Sequence, residues 1–248
     1  MSFSDHFGNV AGRYADFRPT YPAELFEWLS KQCGAHDLVW DCGCGNGQAS
    51  VALAAHFREV HATDASAGQI AHATPHPRVR YAVAAARSSG LPDAAADLVT
   101  VAQALHWFAD DSFYDEAKRV LKPGGLLAAW SYGMIVVEGA AVNDAIRHFY
   151  HQVIGPYWPP ERHHVETGYR ELPFPLARVS TPELAMQVSW PLPQLLGYLG
   201  SWSASVRYRE ATGKDAVEAL GKVLADAWAD PAQPRRVSWP LAILAGRT

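Results

Sequence analysis

The chain is poor in charge and in sulfur: Asp, Glu, Lys and Arg make up 19% of its 248 residues, with three cysteines and three methionines. Its apolar share is an ordinary 49%, so the low charge marks neither a disordered nor a collagen-like nor a coiled-coil chain. A chain of this length buries roughly 70–75% of its unfolded surface, enough for one core without staples. It also lacks a basic excess. Lys and Arg number 21 against 25 for Asp and Glu, a formal net charge of -4, so no global field neutralises phosphates or anionic lipid. No apolar run approaches the length of a bilayer span. The opening Met1-Ser2-Phe3-Ser4-Asp5-His6 has neither the basic nor the apolar region of a secretory leader. Cys33, Cys42 and Cys44 are odd in number and clustered, which is no disulfide framework. The expectation is a cytoplasmic protein, monomer or homodimer, with neither nucleic acid nor membrane as partner.

What is present is an alternation of short apolar strands and helices. Strands are expected at Leu38–Trp40, Glu59–Thr63, Arg78–Val83, Asp97–Val101 and Leu126–Trp130. Helices are expected over Pro22–Lys31, Ala49–Phe57, Ser66–Ala73 and Asp111–Leu121, the last stopped by Lys122-Pro123-Gly124-Gly125. Strands separated by helices of about ten residues predict βαβ units and a parallel sheet, with ligands at its carboxyl edge. After Tyr132 the rhythm changes. A helix near 140–152, a Pro- and aromatic-rich stretch from Gly155 to Pro160, a strand over 183–190, helices near 193–203 and 215–228 and a last strand near 236–245 follow. No linker-like composition break interrupts this order. The reading is one domain: residues 1–36 a lid and helix, 37–132 a cofactor-binding core, 133–248 a substrate cap with the last two strands.

The sharpest motif is Asp41-Cys42-Gly43-Cys44-Gly45-Asn46-Gly47, placed after a strand and before a helix. Glycines there let the backbone turn tightly and let a ligand touch the main chain. Asp64 ends the next strand, where a carboxylate can accept both hydroxyls of a ribose. A dinucleotide fingerprint needs a third glycine where this chain has Gln48, and an acid precedes the loop instead. Asp41 repels a pyrophosphate and suits an ammonium, so the pattern fits S-adenosylmethionine better than NAD.

In these residues the chain resembles the class I methyltransferases. Within that class it is similar to the type 11 family and its trans-aconitate methyltransferase group. The resemblance runs through Tyr14–Pro22, the glycine loop, Asp64-Ala65-Ser66, Leu91-Pro92-Asp93, Ala102–Phe108 and Arg119–Gly125. It implies a doubly wound, mostly parallel seven-stranded Rossmann-like α/β sheet with its last strand antiparallel, under an embedded helical and aromatic cap. It further implies that Asp41, Gly43, Gly45 and Gly47 contact the methionine end and ribose of S-adenosylmethionine. Asp64 would hold the ribose, with Ala65 and Ser66 flanking the adenine and Ala85, Ala86 and Arg87 at its edge. Gln103 and Ala104 would lie under the methionine moiety, and His106 and Trp107 where the methyl leaves. Arg87 departs from the pattern, since relatives often carry a glutamate after an alanine in that loop.

A carboxylate or enolate acceptor needs no general base; for a hydroxyl or amine, His106 is the expected proton acceptor. Tyr14, Tyr21, Tyr132 and Trp202 are expected around a small-molecule acceptor, and Arg18 or Arg207 as clamps for a carboxylate. Two other readings stand beside this one: an NAD-dependent oxidoreductase on a similar sheet, and a cofactor-binding protein without catalysis. No metal site is expected. The cysteines lack ligand geometry, and His163-His164 in a Pro-rich loop is read as facing solvent.

Overall fold

The computed structural model describes residues 19–248. Tyr14 and Arg18 lie outside the described residues. Nine strands occur among the described residues: β1 Leu38–Cys42, β2 Glu59–Asp64, β3 Val79–Val83, β4 Ala96–Ala102, β5 Leu121–Tyr132, β6 Val136–Val137, β7 Ala177–Arg178, β8 Ala185–Trp190 and β9 Arg235–Arg247. The sheet order is β3-β2-β1-β4-β5-β9-β6, with β7 and β8 also paired to β9. Strands β1 to β5 pair in parallel, and β9 runs antiparallel to β5. Since β6 and β7 are two residues each, seven strands carry the sheet, as the resemblance implied.

Both faces of the sheet are covered, which explains why β4 is apolar along nearly its whole length. On β5, Leu126, Ala128 and Trp130 join one core, with Leu25 and Leu29 of α1 (Ala23–Lys31) and Leu53 of α2 (Gln48–Leu53). Leu127 and Ala129 point into a second core, with Phe113, Ala117 and Val120 of α4 (Asp111–Val120). The short helix α3 (Ala67–Ala71) follows β2, and Ser66 caps it by accepting from the Gln69 amide at 3.3 Å.

Two expectations change in detail. Lys122-Pro123-Gly124-Gly125 does not separate helix from strand: α4 passes directly into β5, which begins at Leu121. Gly124 there takes φ +75°, the left-handed bend that glycine adopts freely. Strand β9 is 13 residues long because Pro240 divides it by partner. Residues 241–247 pair with β5 and residues 235–240 with β8, the switch falling where proline offers no amide to a ladder.

The chain between β5 and β9 forms the cap: α5 (Ala140–His148), α6 (Arg162–Glu166), α7 (Leu192–Gly200), α8 (Ser203–Thr212) and α9 (Ala216–Trp228). Helix α8 is absent from the sequence reading, because it buries only Ala204 and Ser205 and carries no clear apolar stripe. Aromatic rings hold the cap together. Trp202 lies 5.5 Å from Tyr150, 5.7 Å from Trp158 and 5.7 Å from Tyr198, centroid to centroid. Trp202 is 7% exposed and serves as cap core, which is not the acceptor-lining place expected of it.

Candidate functional site

Strand β1 delivers the glycine loop to the carboxyl edge of the sheet. Gly43, Gly45 and Gly47 all have positive φ (+69°, +55°, +87°), so the loop needs their missing side chains for its backbone path. A methyl group on Gly43 would stand 2.7 Å from Ala104 Cβ, so the loops after β1 and β4 touch there. One on Gly45 would meet nothing nearer than Gln69 Oε1 at 3.7 Å, leaving that side of the loop accessible.

Asp64, at the end of β2, faces this loop. Its Oδ2 accepts from the Gly45 amide at 2.9 Å, and its Oδ1 from the Ser66 amide at 2.8 Å. Carboxylate oxygens accept more than one hydrogen bond each, so the same group can serve a ribose. Asp41 sits differently from its neighbours. It is fully buried, and its oxygens accept from Ser50 of α2 (2.5 Å) and Thr100 of β4 (2.8 Å). Burial raises its pKa to about 6 against the pull of those two hydroxyls. Asp41 thus ties β1, α2 and β4 together under the loop, and the direct ammonium contact expected of it has no exposed oxygen to use.

At the tip of β4, Gln103 takes φ +56°, an uncommon conformation for a residue other than glycine. Its amide nitrogen donates to the Tyr132 carbonyl at 3.0 Å, while its buried Oε1 accepts nothing among the described residues. Strain and an unused acceptor together mark a ligand position. An ammonium beside the glycine loop fits that acceptor.

The loop after β3 carries Ala85, Ala86 and the exposed Arg87, and Glu116 of α4 anchors it. Glu116 accepts from the Ser89 amide (2.7 Å), from the Ser89 hydroxyl (2.6 Å) and from Arg119 (2.8 Å). Arg119 foremost holds the Glu116 pKa down to about 2, below the ordinary 4.5. As pH falls through that window the unfolded chain takes up its proton first, so stability is lost from about pH 4.5 downward. Glu116→Gln should therefore be less stable than wild type at pH 7, and the gap should narrow steadily towards pH 2. Chemical denaturation across that range measures it; a constant gap would contradict the anchoring role.

Beyond Gln103 a helical turn, Leu105–Trp107, presents the two residues expected near the leaving methyl. His106 Nδ1 lies 3.0 Å from Tyr169 Oη, and Trp107 is 38% exposed. Burial chiefly, then the charge of Arg162 and the ring of His164, lowers the His106 pKa to about 3. His106 is neutral at physiological pH and a weak base. Trp107 lines an open groove of about 460 Å³ with Tyr157, Trp158 and Arg207. Arg207 also reaches the Tyr157 carbonyl at 3.5 Å. Tyr21 and Tyr132 meet at 6.4 Å over Trp130, behind the β4 tip.

Sequence reasoning missed Arg162, Trp158, His164 and Tyr169, which the cap brings to the His106 turn. It also misread His164: His163 is exposed and pairs with Glu171 at 2.8 Å, but the His164 Nδ1 is buried. No spacing in the sequence signals these residues, because fold contacts across about sixty positions bring them to the turn.

A parallel sheet of this order, its last long strand reversed, with a glycine turn after β1 and an acid ending β2, defines a class I methyltransferase scaffold. Residues 40–129, from β1 into β5, match the Methyltransferase domain family. A provisionally named methyltransferase of Dictyostelium discoideum is 35% identical over 231 residues, covering 91% of this chain and 87% of its own length. The solved structure of a provisionally assigned type II methyltransferase from Anaeromyxobacter dehalogenans is 47% identical, with TM-score 0.88 over 93% of this chain and 98% of that one. The Bacillus subtilis YcgJ structure, 17% identical with TM-score 0.51 over 92% of this chain and 99% of that one, shares the fold. The chain belongs to the class I S-adenosylmethionine-dependent methyltransferases.

Proposed function

We propose that this methyltransferase acts on a small-molecule acceptor, a carboxylic acid, that enters between the His106 turn and the cap. When bound, S-adenosylmethionine supplies a methyl group on a sulfonium, which an acceptor lone pair takes as the thioether departs. Asp64, beside the glycine loop, would bind its sugar, Gln103 Oε1 would receive its ammonium, and Ala65, Ser66, Ala85, Ala86 and Arg87 would border its adenine. Ala104 closes the floor against Gly43. Residues 133–213 serve as the lid that excludes water, and alignment under that lid supplies most of the acceleration.

The observation that carries the acceptor class is the neutral, weakly basic His106. A hydroxyl or amine needs a proton acceptor tuned near the working pH, and His106 at about 3 is not one. A carboxylate arrives already deprotonated. His106, held by Tyr169, then acts as a neutral hydrogen-bonding wall beside the reacting group. Tyr132 and Tyr21 support the β4 tip from behind, and Arg207 stands at the groove mouth with Trp107.

Labelled S-adenosylmethionine incubated with a metabolite extract identifies the product. With that acceptor, His106→Asn should retain turnover within about tenfold, since general base catalysis contributes about 100-fold or more where it operates. Wild-type kcat should be level from about pH 5 to 8, because His106 titrates near 3. An acid limb near the ordinary histidine pKa, lost in His106→Asn together with most turnover, would make His106 the base and the acceptor a hydroxyl or amine.

A further inference from the structure

Between the His106 turn and the cap lie polar atoms that nothing in the described chain satisfies. Trp158 Nε1 and His164 Nδ1 are buried and have no hydrogen-bond partner among the described residues. Beside them Arg162, at the start of α6, donates its Nε to Tyr150 Oη at 2.9 Å. Its guanidinium carbon lies 4.7 Å from the Trp158 ring centroid and 5.8 Å from that of Tyr150. Neither Nη atom has a hydrogen-bond or ion-pair partner among the described residues. Glu166, one turn on in the same helix, accepts from Tyr150 Oη through its Oε1 at 2.8 Å. Two other arginines are used more fully: Arg119 bonds Glu116, Asp93 and the Leu91 carbonyl, and Arg235 bonds three carbonyls.

A guanidinium stacked on two rings and tied through Nε is fixed in plane and direction, and its outer edge presents two parallel donors. That edge matches a carboxylate, whose two oxygens have the same spacing. Trp158 adds an N–H donor beside it, and His164 a third polar atom. A buried donor left unmade is costly, and the unpartnered Trp158 Nε1, on the ring against which Arg162 stacks, calls for an acceptor-bearing ligand there. We infer that Arg162, with Trp158 and His164, forms the carboxylate-recognition subsite of the acceptor pocket. Its electrostatic reach to the reacting end is evident in the pull that Arg162 and His164 exert on His106. A carboxylate held in this fork has its lone pairs engaged by donors, so it is the handle that orients the acceptor. A second carboxylate on the acceptor, already deprotonated and so in no need of a base, takes the methyl.

This inference rests on the methyl-transfer reading, and the two fail differently. The experiment is calorimetry on the full chain, first with S-adenosylhomocysteine, then with the loaded protein and a panel of mono-, di- and aromatic carboxylates, each paired with its amide. Wild type should bind one or more carboxylates at least about tenfold tighter than the matching amide. Arg162→Met should lose that preference with S-adenosylhomocysteine affinity unchanged, and Arg162→Lys should regain part of it. In turnover Arg162→Met should raise KM and also lower kcat, since the handle both binds and orients the acceptor, and Arg162→Lys should recover part of each. A preference that survives Arg162→Met, no preference anywhere in the wild-type panel, or stronger binding of phosphate or sulfate esters overturns the subsite. Wild type that binds no S-adenosylhomocysteine overturns the methyl-transfer reading, and the subsite with it.

Discussion

Asp64→Ala is expected to weaken S-adenosylmethionine binding by about 100-fold or more while leaving the sheet folded. Asp64 does two things at once. Its carboxylate holds the Gly45 amide at 2.9 Å and the Ser66 amide at 2.8 Å, so it shapes the loop and the start of α3 together. On the proposed reading it also accepts the ribose hydroxyls when the cofactor binds. Hydrogen bonds to a charged group contribute about 1.5–3 kcal/mol each, so losing two of them removes at least two decades of affinity. Asp64→Asn keeps a carbonyl oxygen for one hydroxyl but loses the charge and places an amide donor against a backbone amide. It should fall between the two. Calorimetry with S-adenosylhomocysteine reads both variants, and near-wild-type affinity in Asp64→Ala would show that the sugar is held elsewhere.

Gly43→Ala should destabilise the fold and abolish cofactor binding together. At φ +69° an alanine costs about 1–2 kcal/mol in backbone strain. Its methyl would lie 2.7 Å from Ala104 Cβ, and overpacking of that kind costs about 1–3 kcal/mol more. The contact joins the two loops proposed to border the cofactor, so relief by backbone movement would widen or skew that site. The double variant Gly43→Ala, Ala104→Gly separates the causes. It removes the clash and keeps the strain, so it should recover the overpacking share of stability and part of the affinity. Denaturant unfolding of the four proteins in this cycle measures the coupling. Strictly additive effects would mean that the two loops do not press on one another.

The core of this molecule was legible in its sequence because its signals are local. Strand β1 followed by a glycine loop, β2 ending at Asp64 and β4 followed by Gln103 each announce themselves within a few residues, and backbone geometry then fixes their places on one edge. Asp41 was legible as important but not as buried. The acid-glycine pattern does not say that Ser50 and Thr100 fill its oxygens, since those partners come from α2 and β4. The cap was the opposite case. Its helices and aromatic richness could be read, but Trp202 could have lined a pocket or filled a core, and only packing against Tyr150, Trp158 and Tyr198 decides it. In the sequence Arg162 does not stand out and His164 reads as facing solvent, because no local motif marks either as a site residue. Their meaning comes from lying against His106, more than fifty positions earlier.

A crystal structure of the chain with S-adenosylhomocysteine tests the central claim most directly. The ribose hydroxyls should lie within hydrogen-bonding distance of the Asp64 carboxylate, with the amino-acid ammonium at Gln103 Oε1 and the sulfur facing the His106 turn. A nucleoside bound away from the glycine loop, with Asp64 still bonded only within the protein, would contradict it.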